Sequence, residues 1–212
     1  MRIGIIGAGR LGTAVARRLT ANGHEVTLSF SRDAAKLQDA ANAAGARSAS
    51  VAEAIASAEV IVLATPWAAT ETALRQAGDL TGRILWDCTN PLKPDFSGLV
   101  LGTDISGGEM VAKWAAGARV VKAIPPFAEQ LAVGEARVRG QAIAVFVCGD
   151  DPAARGAVAM LVADLGAEPV DAGPLSRAQV TEPLGLLMVQ LAYQQGMGAR
   201  IGVTLLREGT GT

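Results

Sequence analysis

The 212-residue sequence predicts an α/β protein with a doubly wound, mostly parallel sheet. Two observations carry this. Short apolar runs alternate with segments of helical periodicity, the pattern of a parallel sheet covered on both faces. Glycine is frequent (25 residues), alanine is abundant and aromatics make up 4%, a bias that lets helices pack closely on strands. Half of the residues are apolar and 18% are charged, the reverse of a disordered chain. The glycines follow no three-residue period, which excludes collagen.

In chain order, Arg2 to Ile6 is a short apolar run before glycine and reads as a buried strand. Leu11, Ala14, Val15 and Leu19 recur at helical spacing, and Asn22-Gly23 stops that helix. His24 to Phe30 is the second strand, and Asp33 to Ala44 is a helix closed by Gly45. Ser50 and Glu53 fit a capping box that opens a helix to about Ser57. Glu59 to Ala64 is a strongly apolar strand, Pro66 opens a helix from Trp67 to about Ala77, and Arg83 to Asp87 is a strand before the turn Asn90-Pro91.

The second half continues the alternation less regularly. Ser106 to Ala116 predicts a helix, Arg119 to Ile124 a strand, and Pro125-Pro126 a loop. Gln141 to Cys148 predicts one apolar strand, Asp151-Pro152 opens a helix to about Leu165, and Ala167 to Asp171 is a last strand. Val180, Leu184, Leu187, Met188 and Leu191 fall on one helical stripe, with a kink expected at Pro183. A boundary near Asp171 separates a sheet domain, 1–171, from a small helical segment, 172–212, expected to form a dimer contact or a substrate-side element.

The net charge of −1, from 19 basic and 20 acidic residues, argues against nucleic acid or an anionic membrane as partner. The longest apolar runs are too short to span a bilayer, and the first residues lack a secretory pattern. Cys88 and Cys148 form no disulfide framework, and with one histidine a metal site is not expected. A cytoplasmic protein with a small-molecule partner is the expectation.

Gly7-Ala8-Gly9-Arg10-Leu11-Gly12 is a GxGxxG between a strand and a helix, with a second strand following. In that context it reads as a Rossmann-type dinucleotide site. Gly7 makes the tight turn, Gly9 lets the backbone approach a pyrophosphate, and Gly12 lets the helix pack on the strand. The helix N-terminus then offers free N–H groups to phosphate. At the tip of the second strand an NAD site carries an acidic residue, but here Ser31 and Arg32 follow Phe30, with Lys36 one turn on. A hydroxyl and a guanidinium suit a 2′-phosphate, so NADP is favoured over NAD. Asp33 is the competing acid if the strand runs two residues longer.

Ligands in such sheets sit beyond the carboxyl ends of the strands. Thr65, Pro66, Trp67, Asn90, Ala123 and Ile124 fall there and complete the cofactor-binding set, with Pro125 on the substrate side. Cys88 and Cys148 read as small core residues. His24 lies at the amino end of its strand, opposite the ligand edge, and no other histidine is present as a general acid. No catalytic acid–base residue is therefore assigned. Hydride transfer between two stacked rings needs orientation more than a proton donor, and suits this chain.

MRIGIIGAGRLGTAVARRL, GHEV, the following SR, VVKAIP, VCGDD at 147–151, DAGPL at 171–175 and GMGARIG at 196–202 together resemble the NADPH-dependent coenzyme F420 reductases. The resemblance spans nearly the whole chain. It implies hydride exchange between NADP(H) and the 5-deazaflavin coenzyme F420, and a homodimer. By position it implies Gly7, Gly9, Arg10, Leu11 and Gly12 at the pyrophosphate, and Ser31 and Arg32 at the 2′-phosphate. Thr65, Pro66 and Trp67 would border the nicotinamide ribose. Ile124, Pro125, Met197 and Gly198 would line the deazaflavin side. Members commonly carry Asn or His, then Thr, where this chain has Ile124-Pro125-Pro126-Phe127. That departure leaves open another acceptor, such as a flavin, an imine or a carbonyl compound, or an NADP-binding sensor without turnover.

Overall fold

The computed structural model describes residues 1–31, 33–102, 104–134 and 136–208. The first half runs β1 (Arg2–Ile6), α1 (Arg10–Ala21), β2 (Glu25–Ser29), α2 (Ala34–Ala44), β3 (Arg47–Ser48), α3 (Val51–Ala56), β4 (Val60–Leu63), α4 (Trp67–Ala77) and β5 (Ile84–Asp87). It continues with α5 (Gly107–Trp114), β6 (Arg119–Lys122), α6 (Ala128–Val133), β7 (Arg137–Val138), β8 (Gln141–Ala142), β9 (Ala144–Gly149), α7 (Pro152–Asp164) and β10 (Glu168–Gly173). A 3₁₀ turn at Leu175–Arg177 leads into α8 (Ala178–Val189), which ends in a π-helical turn at Gln190–Gln194.

The eight-stranded sheet has the order β10-β9-β6-β5-β4-β1-β2-β3. From β3 to β6 this is the doubly wound 3-2-1-4-5-6 arrangement, with its order reversing between β1 and β4. All those pairs are parallel, whereas β9 joins β6 antiparallel. Side chains alternate across the sheet. Ile3, Ile5, Val60 and Val62 enter a core shared with α1, α2 and α7, and Ile6, Ile61 and Leu63 enter a second core under α3, α4 and α5. Burial on both faces explains why these strands read as continuous apolar runs. Gly4 belongs to that packing: a Cβ there would sit 2.3 Å from the Ala54 carbonyl oxygen. Reciprocal capping boxes at Ser50–Glu53 and Ser106–Glu109 start α3 and α5.

Several boundaries differ from the sequence expectation. β2 stops at Ser29 because Phe30 turns into the left-handed region (φ 61°). β6 ends at Lys122 rather than Ile124. The expected single strand from Gln141 is two. β8 pairs back on β7 through Arg139-Gly140, both at positive φ, and β9 begins after Ile143. Arginine in a left-handed hairpin position is not a recognisable turn signal, which is why this hairpin was not legible. β3 and α6 were also not anticipated; both are short. The last helix runs unbroken from Ala178 to Val189 with Pro183, the expected kink position, inside it. Beyond it the chain returns to the sheet: Ala144 N donates to Val203 O (2.8 Å), and Thr204 Oγ1 to Ala142 O (2.8 Å).

Candidate functional site

At the carboxyl edge of the sheet, beside the switch point, lies a cavity of about 500 Å³. Its floor comes from the loops after β4, β5 and β6, and one wall from α8.

The glycine turn has the form a pyrophosphate needs. Gly7 adopts φ 123° and donates its N–H to Ser29 O at 2.9 Å. A Cβ at Gly12 would lie 1.8 Å from Gly7 O, so only glycine lets α1 start there. Gly9 precedes α1 with no side-chain cap, and a Cβ on it would meet nothing within 4 Å. Uncapped N–H groups therefore face open space at the start of a twelve-residue helix, a cradle that fits a phosphate. Arg10 and Leu11 extend the turn to the cavity.

The tip of β2 is tied to this turn, since Ala8 N also donates to Phe30 O at 3.4 Å. Ser31 follows and is exposed, and Lys36 is exposed on the first turn of α2. Arg32 lies outside the described residues. Asp33 is the N-cap of α2, with its carboxylate accepting from Ala35 N (2.9 Å) and Lys36 N (3.3 Å). That geometry accounts for the acid next to Arg32: the strand stops at Ser29, short of Asp33, and the helix start occupies the Asp33 Oδ1.

After β4, Thr65 is buried with its hydroxyl 3.0 Å from that of Thr70, and Pro66 caps α4. The Trp67 ring lies 5.2 Å from the Trp114 ring. After β5, Thr89 donates its N–H (2.8 Å) and hydroxyl (2.7 Å) to Asp87 Oδ1. Asn90 donates its side-chain amide to Glu182 O (3.2 Å). After β6, Ile124 and Pro125 line the cavity with Pro126 and Phe127. Ala123 does not: it is fully buried, and its carbonyl accepts Trp86 Nε1 at 2.8 Å. Met197 and Gly198 are exposed and stand outside the lining, where Ile201, Gly202 and Val203 take the place expected of them. The two residues bend the chain instead, Met197 N bonding Leu191 O and Gly198 N bonding Ala192 O.

Polar groups not found from sequence also surround the cavity. Glu129 on α6 pairs with Arg10 and accepts the Tyr193 hydroxyl at 3.1 Å. Tyr193 stacks 6.0 Å from Phe96 and meets Phe127 edge-on at 5.6 Å. Burial, reinforced by the Glu129 carboxylate, raises the Tyr193 phenol above its ordinary pKa. Beneath Thr89 is a fully buried ion cluster. Lys122 Nζ contacts Asp87 Oδ2 (2.7 Å) and Glu182 Oε1 (3.0 Å), and donates to Thr89 O (2.8 Å). Burial opposes charge on Lys122, yet the two carboxylates outweigh it and hold its pKa above the ordinary lysine value. Cys88 borders the cavity, and burial pushes its thiol well above the usual range. His24 is remote, bonded to Asp164 Oδ2 at 2.9 Å at the amino end of β2. No group of side chains able to hold a metal occurs among the described residues, and no helix among them is long and apolar enough to cross a membrane.

The fold and the comparisons together define an NADP-dependent oxidoreductase. The family model for coenzyme F420-dependent NADP oxidoreductases matches residues 2–91. An Arthrobacter sp. FB24 protein described as an F420-dependent NADP-reductase is 31% identical over 98% of this chain and 100% of its own, with a TM-score of 0.84. A hypothetical protein of Sinorhizobium meliloti is 28% identical, covering 98% and 96% of the two chains, with a TM-score of 0.75. The chain belongs to the family of coenzyme F420-dependent NADP oxidoreductases. A reductive aminase from Aspergillus terreus, solved with NADPH4, cyclohexanone and allyl amine, shares the fold (22% identity, TM-score 0.66). The alignment covers 92% of this chain and 62% of that longer one.

Proposed function

We propose that the protein transfers a hydride between NADP(H) and a 5-deazaflavin of the coenzyme F420 type. The observation that carries this is the contiguity of an uncapped, glycine-lined helix start with a mainly apolar cavity lined by prolines and aromatic rings. Gly7, Gly9, Arg10, Leu11 and Gly12 hold the pyrophosphate; Ser31, Arg32 and Lys36 hold the 2′-phosphate. Thr65, Pro66, Trp67 and Asn90 flank the nicotinamide ribose, with Ile124 and Pro125 on the acceptor side. When bound, the nicotinamide supplies the hydride. The protein orients the two rings and excludes water, and apolar walls suit both tasks. Residues 172–212 form the substrate-side unit of a 1–171 nucleotide domain. Their exposed Val180, Leu187 and Met197 favour a homodimer.

A second reading, reduction of an imine or carbonyl compound, is favoured by one observation: the Tyr193 hydroxyl, bonded to Glu129, brings an O–H to a mainly apolar cavity where it could serve as a proton donor. A spectrophotometric assay separates the two. NADPH with oxidised coenzyme F420 is expected to bleach the deazaflavin absorbance, with NADH and FMN giving little turnover. Loss of NADPH absorbance with a cyclic imine, and none with the deazaflavin, would replace the first reading by the second. Sedimentation at micromolar concentration tests the dimer.

A further inference from the structure

We infer that the buried Lys122–Asp87–Glu182 cluster is a positioning device that sets the distance between the α8 wall and the loop Cys88–Thr89–Asn90, and so seats the acceptor against the nicotinamide. The inference rests on the cavity being the hydride-transfer site. Each member of the cluster reaches a different element. Lys122 is the last residue of β6 and Asp87 the last of β5, while Glu182 is on α8. The three acceptors around Nζ lie within 3.0 Å, and Lys122, Asp87 and Glu182 are at most 1% exposed.

Each carboxylate is also bonded to backbone, that of Asp87 at the cavity and that of Glu182 at the start of α5. Asp87 fixes Thr89 through two hydrogen bonds, and Lys122 fixes the Thr89 carbonyl. Glu182 accepts Gly107 N (2.8 Å) and Gly108 N (2.9 Å) at the start of α5, while its own carbonyl accepts the Asn90 amide. The cluster carries one positive and two negative charges, and the α5 N–H groups offset part of the excess.

Three glycines clear the way for this approach. A Cβ at Gly107 would come within 3.0 Å of Glu182 Oε1, and one at Gly108 within 3.2 Å of Lys122 Cε. On α8, a Cβ at Gly185 would press to 2.7 Å of Asn90 Nδ2 and 3.1 Å of Ile124 Cδ1. The neighbours of Glu182 and Gly185 on α8, Thr181, Leu184 and Met188, line the cavity. A shift of α8 therefore moves the acceptor's wall while the glycine turn, on the other side of the switch point, stays in place. Misplacement by about 1 Å is enough to cost rate on the order of a hundredfold in such reactions.

Two variants test this: Glu182→Gln, which keeps the shape and removes the charge, and Gly185→Ala, whose methyl crowds Asn90 Nδ2 and Ile124 Cδ1 across the α8 contact and leaves the charges intact. Both are expected to raise the KM for the acceptor or lower the single-turnover hydride rate by about tenfold or more. Of the described residues placed at the nucleotide, Asn90 alone meets α8, so the dissociation constant for NADPH, from fluorescence titration, should change by about threefold at most, well short of the effect on the acceptor. Acceptor kinetics unchanged in both variants, or NADPH affinity falling in step with them, would reduce the cluster to a fold-stabilising one and overturn the inference. If Glu182→Gln does not fold, Gly185→Ala alone decides. The acceptor is whichever of oxidised coenzyme F420, FMN and 1-pyrroline the wild type reduces, so a wrong substrate class fails in the wild type and a wrong positioning role fails in the variants. Should none be reduced, hydrogen exchange of the NADP⁺-loaded protein decides. Joint faster exchange of 178–189 and 88–90 in Glu182→Gln, with 10–21 unchanged, upholds the tether, and unchanged or unlinked exchange removes it.

Discussion

Arg10, at the mouth of the glycine turn, has its guanidinium bonded to the Glu129 carboxylate of α6. A pyrophosphate at the α1 N-terminus, as proposed, would compete with Glu129 for that cation. The pair is largely exposed on the arginine side, so it is worth no more than about 1 kcal/mol. Glu129→Gln is accordingly expected to tighten NADPH binding by up to about fivefold at low salt, the gain shrinking as salt rises. Titration calorimetry at two ionic strengths measures it. Weaker binding in this variant would mean that Glu129 supports the nucleotide instead of competing with it.

NADP preference is assigned to Ser31, Arg32 and Lys36. On that proposal, Arg32→Ala would remove a charge-assisted bond to the 2′-phosphate, worth about 1.5–3 kcal/mol. The dissociation constant for NADPH should rise by about tenfold to a hundredfold, while that for NADH stays within about twofold. Equal losses for the two nucleotides would withdraw the assignment.

Most of this sheet was legible from sequence because strands buried on both faces leave unbroken apolar runs, as Ile3–Ile6 and Val60–Leu63 do. The glycine turn was legible because its residues are fixed by backbone geometry, Gly7 by φ and Gly12 by contact with Gly7 O. Of the acceptor half, Ile124 and Pro125 were legible and the rest was not. Asp87, Lys122 and Glu182 are separated by 35 and 60 positions, and only the topology joins them. A signal was present: a lysine closing the apolar run Val120-Val121 and a glutamate in an apolar helix both demand buried partners. Sequence says that such partners exist, not which they are. Met197 and Gly198 were displaced for a related reason. The chain bends at Gly196 and Gly198, both at positive φ, and it is the segment after the bend that reaches the cavity.

Both thiols are expected to resist maleimide at neutral pH in the folded protein, because burial holds them protonated. Cys148 is pushed up to about 11, and Cys88 well above its ordinary value. A raised folded pKa means that the folded state keeps protons the unfolded chain releases. Their contribution to stability is then whole below the unfolded thiol value of about 8.5 and is lost as pH rises through the folded one. The urea midpoint should hold between about pH 7 and 8 and fall between about pH 9 and 11. A midpoint that rises across that alkaline range would contradict the burial of both thiols.

Gly9 and Gly12 are separated by three positions, and alanine at each is expected to fail differently. At Gly12 the new methyl would stand 1.8 Å from Gly7 O, which is backbone and cannot swing away. Gly12→Ala must displace α1 from β1, at a cost of about 1–3 kcal/mol or more, visible as a lower melting temperature before any nucleotide is added. At Gly9 the methyl meets no protein atom, and the residue sits at φ −78°, which alanine adopts without strain. Gly9→Ala should therefore fold with a loss of about 1 kcal/mol or less, the ordinary cost of alanine at a helix cap. Its methyl occupies the space in front of the uncapped α1 N–H groups, where the phosphate oxygens have to come. NADPH affinity should drop by more than about tenfold while stability is nearly kept. Normal NADPH binding by Gly9→Ala would place the pyrophosphate elsewhere, and the assignment of the glycine turn would fall with it.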